Sequence, residues 1–255
     1  MNKITLITGA TSGIGRSCAY LFAQNNHDLI ITGRRKNRLE EISGDLESKY
    51  DIRVHNITLD LRDNEAVKKA ISSLPDEWKQ IEILVNNAGL AVGLNTIQDG
   101  DIDDWERMID TNIKGLLYMS RVVLPKFVEQ NYGHVINIGS IAGKEVYPNG
   151  NVYCATKHAV DALTKSMRID MVKHGVKVTQ VAPGAIETEF SLVRFKGDKD
   201  KANNIYKGFQ PLSPDDIANV VYYTTSLPAH VNINDLVIMP TAQASATVLN
   251  KSSLI

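Results

Sequence analysis

Cysteine is almost absent: two residues in 255, Cys18 and Cys154, lie far apart in the chain. That excludes a disulfide framework and offers no zinc-ligand spacing, and it fits a reducing, cytoplasmic setting. No apolar run approaches the ~20 residues that a membrane-crossing helix needs. The opening MNKITLITGATSG turns to glycine and polar residues too early for a secretory signal, so a cytoplasmic protein with no membrane partner is expected. Charge of one sign is not in excess either: 28 Lys plus Arg stand against 29 Asp plus Glu, which gives no argument for a nucleic-acid partner. The six histidines, at 27, 55, 134, 158, 174 and 230, form no H-x-H or H-E-x-x-H pattern, so no metal is expected. Repeats, low-complexity tracts and Pro/Gly/Ser linkers are missing as well, which favours one domain over 1–255.

What is present is a hydrophobic fraction of 43 %, arranged as short β-rich runs alternating with longer amphipathic segments. The runs fall at 4–8, 29–33, 53–59, 82–87, 134–140, 176–183 and 236–240, and the helical patterns at 13–25, 36–49, 63–73, 103–130, 151–174 and 214–226. Alternation of this kind predicts an α/β fold with a parallel sheet between two helical layers, and near-continuous Val, Ile and Leu in the runs predicts strands buried on both faces. Within 103–130, Asn112 and Gly115 are poor interior choices and predict a local distortion with a freed backbone group. The acidic run 99–106 reads as a complement to a helix N-terminus, with Trp105 as a core anchor. One long irregular stretch, 189–211, has the length of a functional lid.

The turn after the first run, TGATSGIG, places Gly9, Gly13 and Gly15 at the start of a helix. Glycine lets backbone approach a pyrophosphate, and the helix directs unpaired N–H groups at it; a purely structural turn has the same look. The second run ends TGRRK. A dinucleotide fold that selects NAD usually carries an acidic residue there for the ribose 2′-hydroxyl, whereas Arg34 and Arg35 suit a 2′-phosphate, and NADP is inferred over NAD. Asp60 is placed to meet the adenine and Asn87, with Ala88 and Gly89, to close the fourth strand beside the cofactor, although either is also an ordinary turn residue.

Of nine tyrosines, Tyr153 alone has a lysine four residues on, Lys157. On a helix the pair shares one face, an arrangement equally compatible with a half-buried tyrosine beside a solvated lysine.

Taken together, TGATSGIG, NNAG at 86–89, Asn112 in DTNIKG, Ser140 in NIGS, Tyr153, Lys157, and Pro183-Gly184 with Thr188 resemble the short-chain dehydrogenase/reductase family over essentially the whole chain. The resemblance implies a three-layer Rossmann fold, a single doubly wound parallel sheet of seven strands in the order 3-2-1-4-5-6-7. It implies Tyr153 as catalytic acid/base, Lys157 as its electrostatic partner and ribose ligand, Ser140 as second donor to the substrate oxygen and Asn112 as holder of a proton relay. The cofactor set it implies comprises Gly9, Thr11, Ser12, Gly13, Ile14, Gly15, Arg34, Arg35, Asp60, Leu61, Asn87, Ala88, Gly89, Tyr153, Lys157, Pro183, Gly184, Ile186 and Thr188. A tyrosine lowered from ~10 to ~7 needs roughly 4 kcal/mol of preference for the phenolate, which an ammonium one turn away acts to supply.

Within the family, LVNNAGLAVG, DDWERMIDTNIKGLLYMSRVVLP, FSLVRFKGDKDKA and LPAHVNIND look like the NADP-dependent 3-hydroxy acid dehydrogenases. That resemblance implies homotetramers and small substrates of the serine, L-allo-threonine and 3-hydroxypropionate type. Such an acid needs a cationic anchor near the reacting carbon, for which Arg194 is the candidate and Lys144 the competitor. A carbonyl or 3-oxoacyl-thioester reductase would use the same catalytic four, and a dinucleotide sensor would not need them.

Overall fold

The computed structural model describes residues 2–251. Seven strands form one sheet: β1 (Lys3–Thr8), β2 (His27–Gly33), β3 (Val54–Thr58), β4 (Ile81–Asn86), β5 (Gly133–Ile138), β6 (Val176–Pro183) and β7 (Asp235–Ile238). Their order is β3-β2-β1-β4-β5-β6-β7, with every neighbouring pair parallel. This is the sheet order the family resemblance implies.

Parallel strands need crossovers, and helices supply them: α1 (Gly13–Gln24), α2 (Lys36–Lys49), α3 (Asn64–Ser72), α4 (Ile102–Ile109), α5 (Leu116–Gln130), α6 (Asn151–Met171), α7 (Glu189–Arg194), α8 (Lys199–Asn204) and α9 (Pro214–Ser226). Because successive strand side chains point to opposite faces, a central strand feeds two cores. On β1 and β4, Leu6 and Leu84 turn to one side, where they meet Val67 of α3, Val123 and Phe127 of α5, and Val160 of α6. Ile7, Ile83 and Val85 turn to the other, against Phe22 of α1, Leu46 of α2 and Val221 of α9. The apolar runs are continuous because neither face of these strands meets water.

The order reverses between β1 and β4, and the helices that follow these two strands leave on opposite faces, so a crevice opens at the strands' carboxyl ends. Polar side chains tie that end together. Asn86 Nδ2 donates to Asn137 Oδ1 of β5 at 2.9 Å and to Ser120 Oγ of α5 at 3.1 Å, and Asn137 Nδ2 donates to Thr164 Oγ1 of α6 at 2.9 Å. Each is buried, so these bonds fix how α5 and α6 sit on the sheet.

Three expectations need correction. The helix read over 103–130 is interrupted: a π-helical stretch, Asp110–Gly115, separates α4 from α5 at the residues whose propensities predict a distortion. The stretch 189–211 is not structureless, because Thr188 Oγ1 accepts from the Phe190 amide and Asp198 Oδ1 from the Lys201 amide, caps that start two short helices there. Trp105 is half-buried at the wall of a small pocket, while Asp104 is the buried residue of that turn, paired with Lys196 at 2.7 Å. Trp105 still packs against the cluster of Leu90, Val92 and Met108, so it anchors the helix from a pocket wall, beside a buried carboxylate that Lys196 neutralises.

Candidate active site

The phosphate-type turn is built from β1 and β4 together. Thr8 Oγ1 accepts from the Asn87 and Ala88 amides, each at 3.0 Å, and Asn87 Nδ2 donates back to the Thr8 carbonyl at 2.8 Å. Gly9 and Gly13 have φ of +68° and +52°, values that side-chain-bearing residues rarely adopt. One turn into α1, a Cβ on Gly15 would stand 2.4 Å from Asn87 Nδ2 and 2.5 Å from the Gly9 carbonyl, so only glycine lets the helix start this close beneath the turn. Ser12 precedes α1 without capping it through its side chain, and the first turn holds no acidic residue, which leaves the helix N-terminus open toward the crevice.

Arginines stand beside this turn. Arg35 donates to Thr11 Oγ1 from Nη2 at 2.9 Å and from Nε at 3.2 Å, and to Ser12 Oγ at 2.9 Å. Arg34 lines the same cleft and contributes to holding the Asp60 carboxyl below its usual range, chiefly the work of Arg62, whose Nη2 donates to Asp60 at 2.6 Å. A carboxylate so engaged does not oppose an incoming phosphate as a free one would. The backbone cradle, the open helix end and the two guanidiniums fit a 2′-phosphorylated dinucleotide.

Farther along the cleft four polar side chains converge. Asn112, 2 % exposed on the π-helical stretch, accepts from the Leu90 amide at 2.8 Å and donates to the Leu90 carbonyl at 2.8 Å and to Thr156 Oγ1 of α6 at 3.0 Å. Tyr153 and Lys157 lie on the buried face of α6, with Lys157 Nζ 6.0 Å from the phenol ring centre. Lys157 is 6 % exposed and donates from Nζ to the Ile138 carbonyl at the end of β5, at 2.9 Å. Burial lowers its pKa from 10.5 to about 8. Ser140 follows β5, accepts from the Ala142 amide at 3.1 Å, and lines the cleft beside Tyr153, where its hydroxyl acts to favour the phenolate.

The electrostatics of Tyr153 differ from the sequence expectation. Its burial raises the pKa above the ordinary value, and the groups that counter this are first Arg194 and then Ser140. Lys157 lies one turn away, with Nζ 6.0 Å from the ring centre, but is itself desolvated and donates to a backbone carbonyl.

Arg194, at the end of α7, holds its guanidinium carbon 5.0 Å from the Tyr153 ring centre and 5.1 Å from that of Phe190. Nη2 donates to the Tyr147 phenol at 2.8 Å, and the buried Nε has no hydrogen-bond partner among the described residues. Together with Tyr147, Trp105 and Met108 it walls a small pocket next to Tyr153. Lys144, the competing anchor, is removed from this role: its ammonium pairs with Asp161 and Asp235 on the side of α6 and β7.

The structure therefore brings Gly9, Thr11, Ser12, Gly13 and Ile14, then Arg34, Arg35, Asp60 and Leu61, then Asn87, Ala88 and Gly89 into one cleft. Ser140, Tyr153 and Lys157 stand in its wall with Pro183, Gly184, Ile186 and Thr188 opposite, while Gly15 and Asn112 lie just beneath. Tyr147, Phe190 and Glu189 belong to the same constellation and escaped the sequence reading. Tyr147 sits in an irregular segment with no periodicity to mark it, and Phe190 resembles any apolar residue of a short helix.

Comparison with known proteins agrees with this architecture. Residues 3–198 match the family model described as short chain dehydrogenase. The NADP-dependent 3-hydroxy acid dehydrogenase of Escherichia coli (strain K12) is 48 % identical over 244 residues, 95 % of this chain and 97 % of the relative. Sulfoacetaldehyde reductase 2 of Chromohalobacter salexigens is 47 % identical over 245 residues, 96 % of each. Among solved structures, the closed form of a serine dehydrogenase complexed with NADP+ superimposes with a TM-score of 0.91 at 47 % identity, covering 95 % of this chain and 97 % of that one. With this sheet order, this cleft and these matches, the chain belongs to the short-chain dehydrogenase family.

Proposed function

We propose that the chain is an NADP-dependent oxidoreductase that interconverts a small 3-hydroxy acid and its carbonyl counterpart, the whole chain acting as one dinucleotide-binding and catalytic domain. The observation that carries the substrate class is Arg194: a partly buried guanidinium beside the Tyr153 phenol with an unpaired Nε–H is suited to an anionic head group. A carboxylate held there leaves the carbon bearing the hydroxyl near Tyr153 when one carbon separates the two. A 2-hydroxyethanesulfonate has the same spacing between anion and carbinol carbon, which fits the similarity of this chain to a sulfoacetaldehyde reductase.

In this reading the glycine turn, Arg34 and Arg35 would hold NADP, which would supply the acceptor for the hydride of the carbinol carbon. Ser140 holds the substrate oxygen, and Tyr153 as phenolate removes the hydroxyl proton as the C–H bond breaks; in reverse Tyr153 returns that proton to the oxygen. Arg194 and Ser140 favour the phenolate and also fix the substrate at its two ends, so substrate anchoring and proton abstraction share donors. Lys157 presents a desolvated ammonium to the ribose side of the cleft, and Asn112 fixes the backbone at Leu90 against α6. Residues 189–211 serve as the lid over the reacting end. Exposed apolar side chains on the long helices, Leu117 of α5 and Ile169 of α6 among them, support a homotetramer assembled through those faces.

The direct assay follows reduced nicotinamide at its absorbance band with NADP or NAD and a panel of 3-hydroxypropionate, L-serine, L-allo-threonine, 2-hydroxyethanesulfonate and simple secondary alcohols. Turnover of the carboxylates with NADP is expected, with Tyr153→Phe slower by at least about 10²- to 10⁴-fold. Turnover of neutral alcohols alone, or an unimpaired phenylalanine variant, contradicts the reading.

Lys157 yields a second expectation. A fall from 10.5 to about 8 corresponds to roughly 3 kcal/mol by which burial disfavours the ammonium. Below pH 8 both folded and unfolded chains carry the proton and the penalty is fully present. Above it the folded chain releases the proton first, the unfolded chain binds more, and stability rises with pH up to about 10.5. In urea unfolding, Lys157→Met is therefore expected to exceed wild type at pH 7 by about 1–3 kcal/mol, after allowing for the orphaned Ile138 carbonyl, with the gap closing by pH 10. A pH-independent difference is the contrary result. Light scattering is expected to give a mass four times the 28.2 kDa of one chain; a monomer mass removes the tetramer.

A further inference from the structure

Helix α7 has Glu189 at its first residue and Arg194 at its last. The Glu189 carboxylate bridges Arg35, in the β2–α2 turn, and Arg38, in the first turn of α2: Oε2 accepts from Arg35 Nη1 at 2.9 Å and Oε1 from Arg38 Nη1 at 2.8 Å. All three side chains remain between 42 % and 46 % exposed, so a ligand in the cleft can reach them. Arg35 is also the residue that donates to Thr11 and Ser12 at the mouth of the phosphate turn, and Glu189 itself lines the cleft. A carboxylate shared by two guanidiniums stands where a phosphate monoester would be held, with less charge and one oxygen fewer.

We propose that Glu189 is an internal competitor for the cofactor's 2′-phosphate and thereby a residue that sets cofactor affinity: it neutralises Arg35 and Arg38 in the free protein and gives up Arg35 when the 2′-phosphate arrives. The inference rests on the NADP reading of Arg35 given above. Its consequence runs along α7. The far end of this helix is pinned, since the Gly93 amide donates to the Arg194 carbonyl at 3.0 Å and the guanidinium donates to Tyr147. Six residues of helix span about 9 Å, so α7 is a short strut from the phosphate-reading arginines to the acid anchor. Releasing its first residue from Arg35 alters the restraint on the segment that carries Arg194, and occupancy at the two ends becomes coupled.

The probes are adenosine 2′,5′-bisphosphate and 5′-AMP, titrated calorimetrically into wild type, Glu189→Gln, Arg35→Ala and Arg38→Ala. Glu189→Gln is expected to bind the bisphosphate about three- to tenfold more tightly with 5′-AMP affinity unchanged, the range set by two half-exposed ion pairs. In wild type, the bisphosphate and not 5′-AMP is expected to change hydrogen exchange over residues 189–194, a response absent from Glu189→Gln. If Glu189→Gln binds the bisphosphate no better than wild type while Arg35→Ala binds it less well, the competitor role is overturned and the arginine reading stands. If Arg35→Ala keeps full bisphosphate affinity, Arg35 does not hold the 2′-phosphate and the inference falls with that reading.

Discussion

One buried amide governs how the catalytic end is assembled. Asn112 makes both backbone bonds to Leu90, in the segment after β4, and a third to Thr156 on α6. Losing this side chain leaves the Leu90 amide and carbonyl unpaired in a buried place, each at a cost of about 1–3 kcal/mol, while the Thr156 hydroxyl keeps its bond to the Tyr153 carbonyl. The π-helical stretch that presents it departs from regular helix, and such departures persist where a side chain must reach partners outside its own helix. Through Asn112, the crevice floor from β4 and the helix carrying Tyr153 and Lys157 hold one fixed relation.

That relation places charged groups in a setting that opposes their charge. Lys157 is buried with one carbonyl partner, and Tyr153 is buried with its ionisation discouraged. For Tyr153 the larger counterweight comes from α7, where the Arg194 guanidinium lies over the Tyr153 and Phe190 rings, and the smaller from Ser140 after β5. The scaffold helix α6 thus holds Tyr153 and Lys157, while the six-residue α7 brings a cation that favours the Tyr153 phenolate. On the proposed function, specificity and chemistry become two consequences of one side chain's position.

Much of this was legible in the sequence because it was written locally. The central strands, buried on both faces, show as runs rich in Val, Ile and Leu, while the part-exposed edge strands β3 and β7 were placed by the alternation with helical patterns; glycine spacing located the crevice turn, and Tyr153 with Lys157 shared a helical face by a spacing of four. Asn112 and Gly115 marked the break in the long helical pattern through their poor propensity. What stayed hidden is pairwise and distant. Arg35 meets Glu189 across 154 positions and Lys144 meets Asp235 across 91, and neither pair leaves a local signature. Lys144 and Arg194 were equivalent as cations in a loop until their partners separated them. The short caps at Thr188 and Asp198 were too small a signal to reveal helices within a charge-rich stretch.

The central claim is that Arg194 selects an acid and orients it on Tyr153. The most direct measurement compares kcat/KM for 3-hydroxypropionate and for its uncharged amide, in wild type and in Arg194→Met. The account expects wild type to favour the acid by at least about 100-fold, the value of a charge-assisted pair in a partly desolvated site, and the methionine variant to lose that preference through the acid alone. Equal turnover of acid and amide by wild type, or an undiminished preference in the variant, would contradict it.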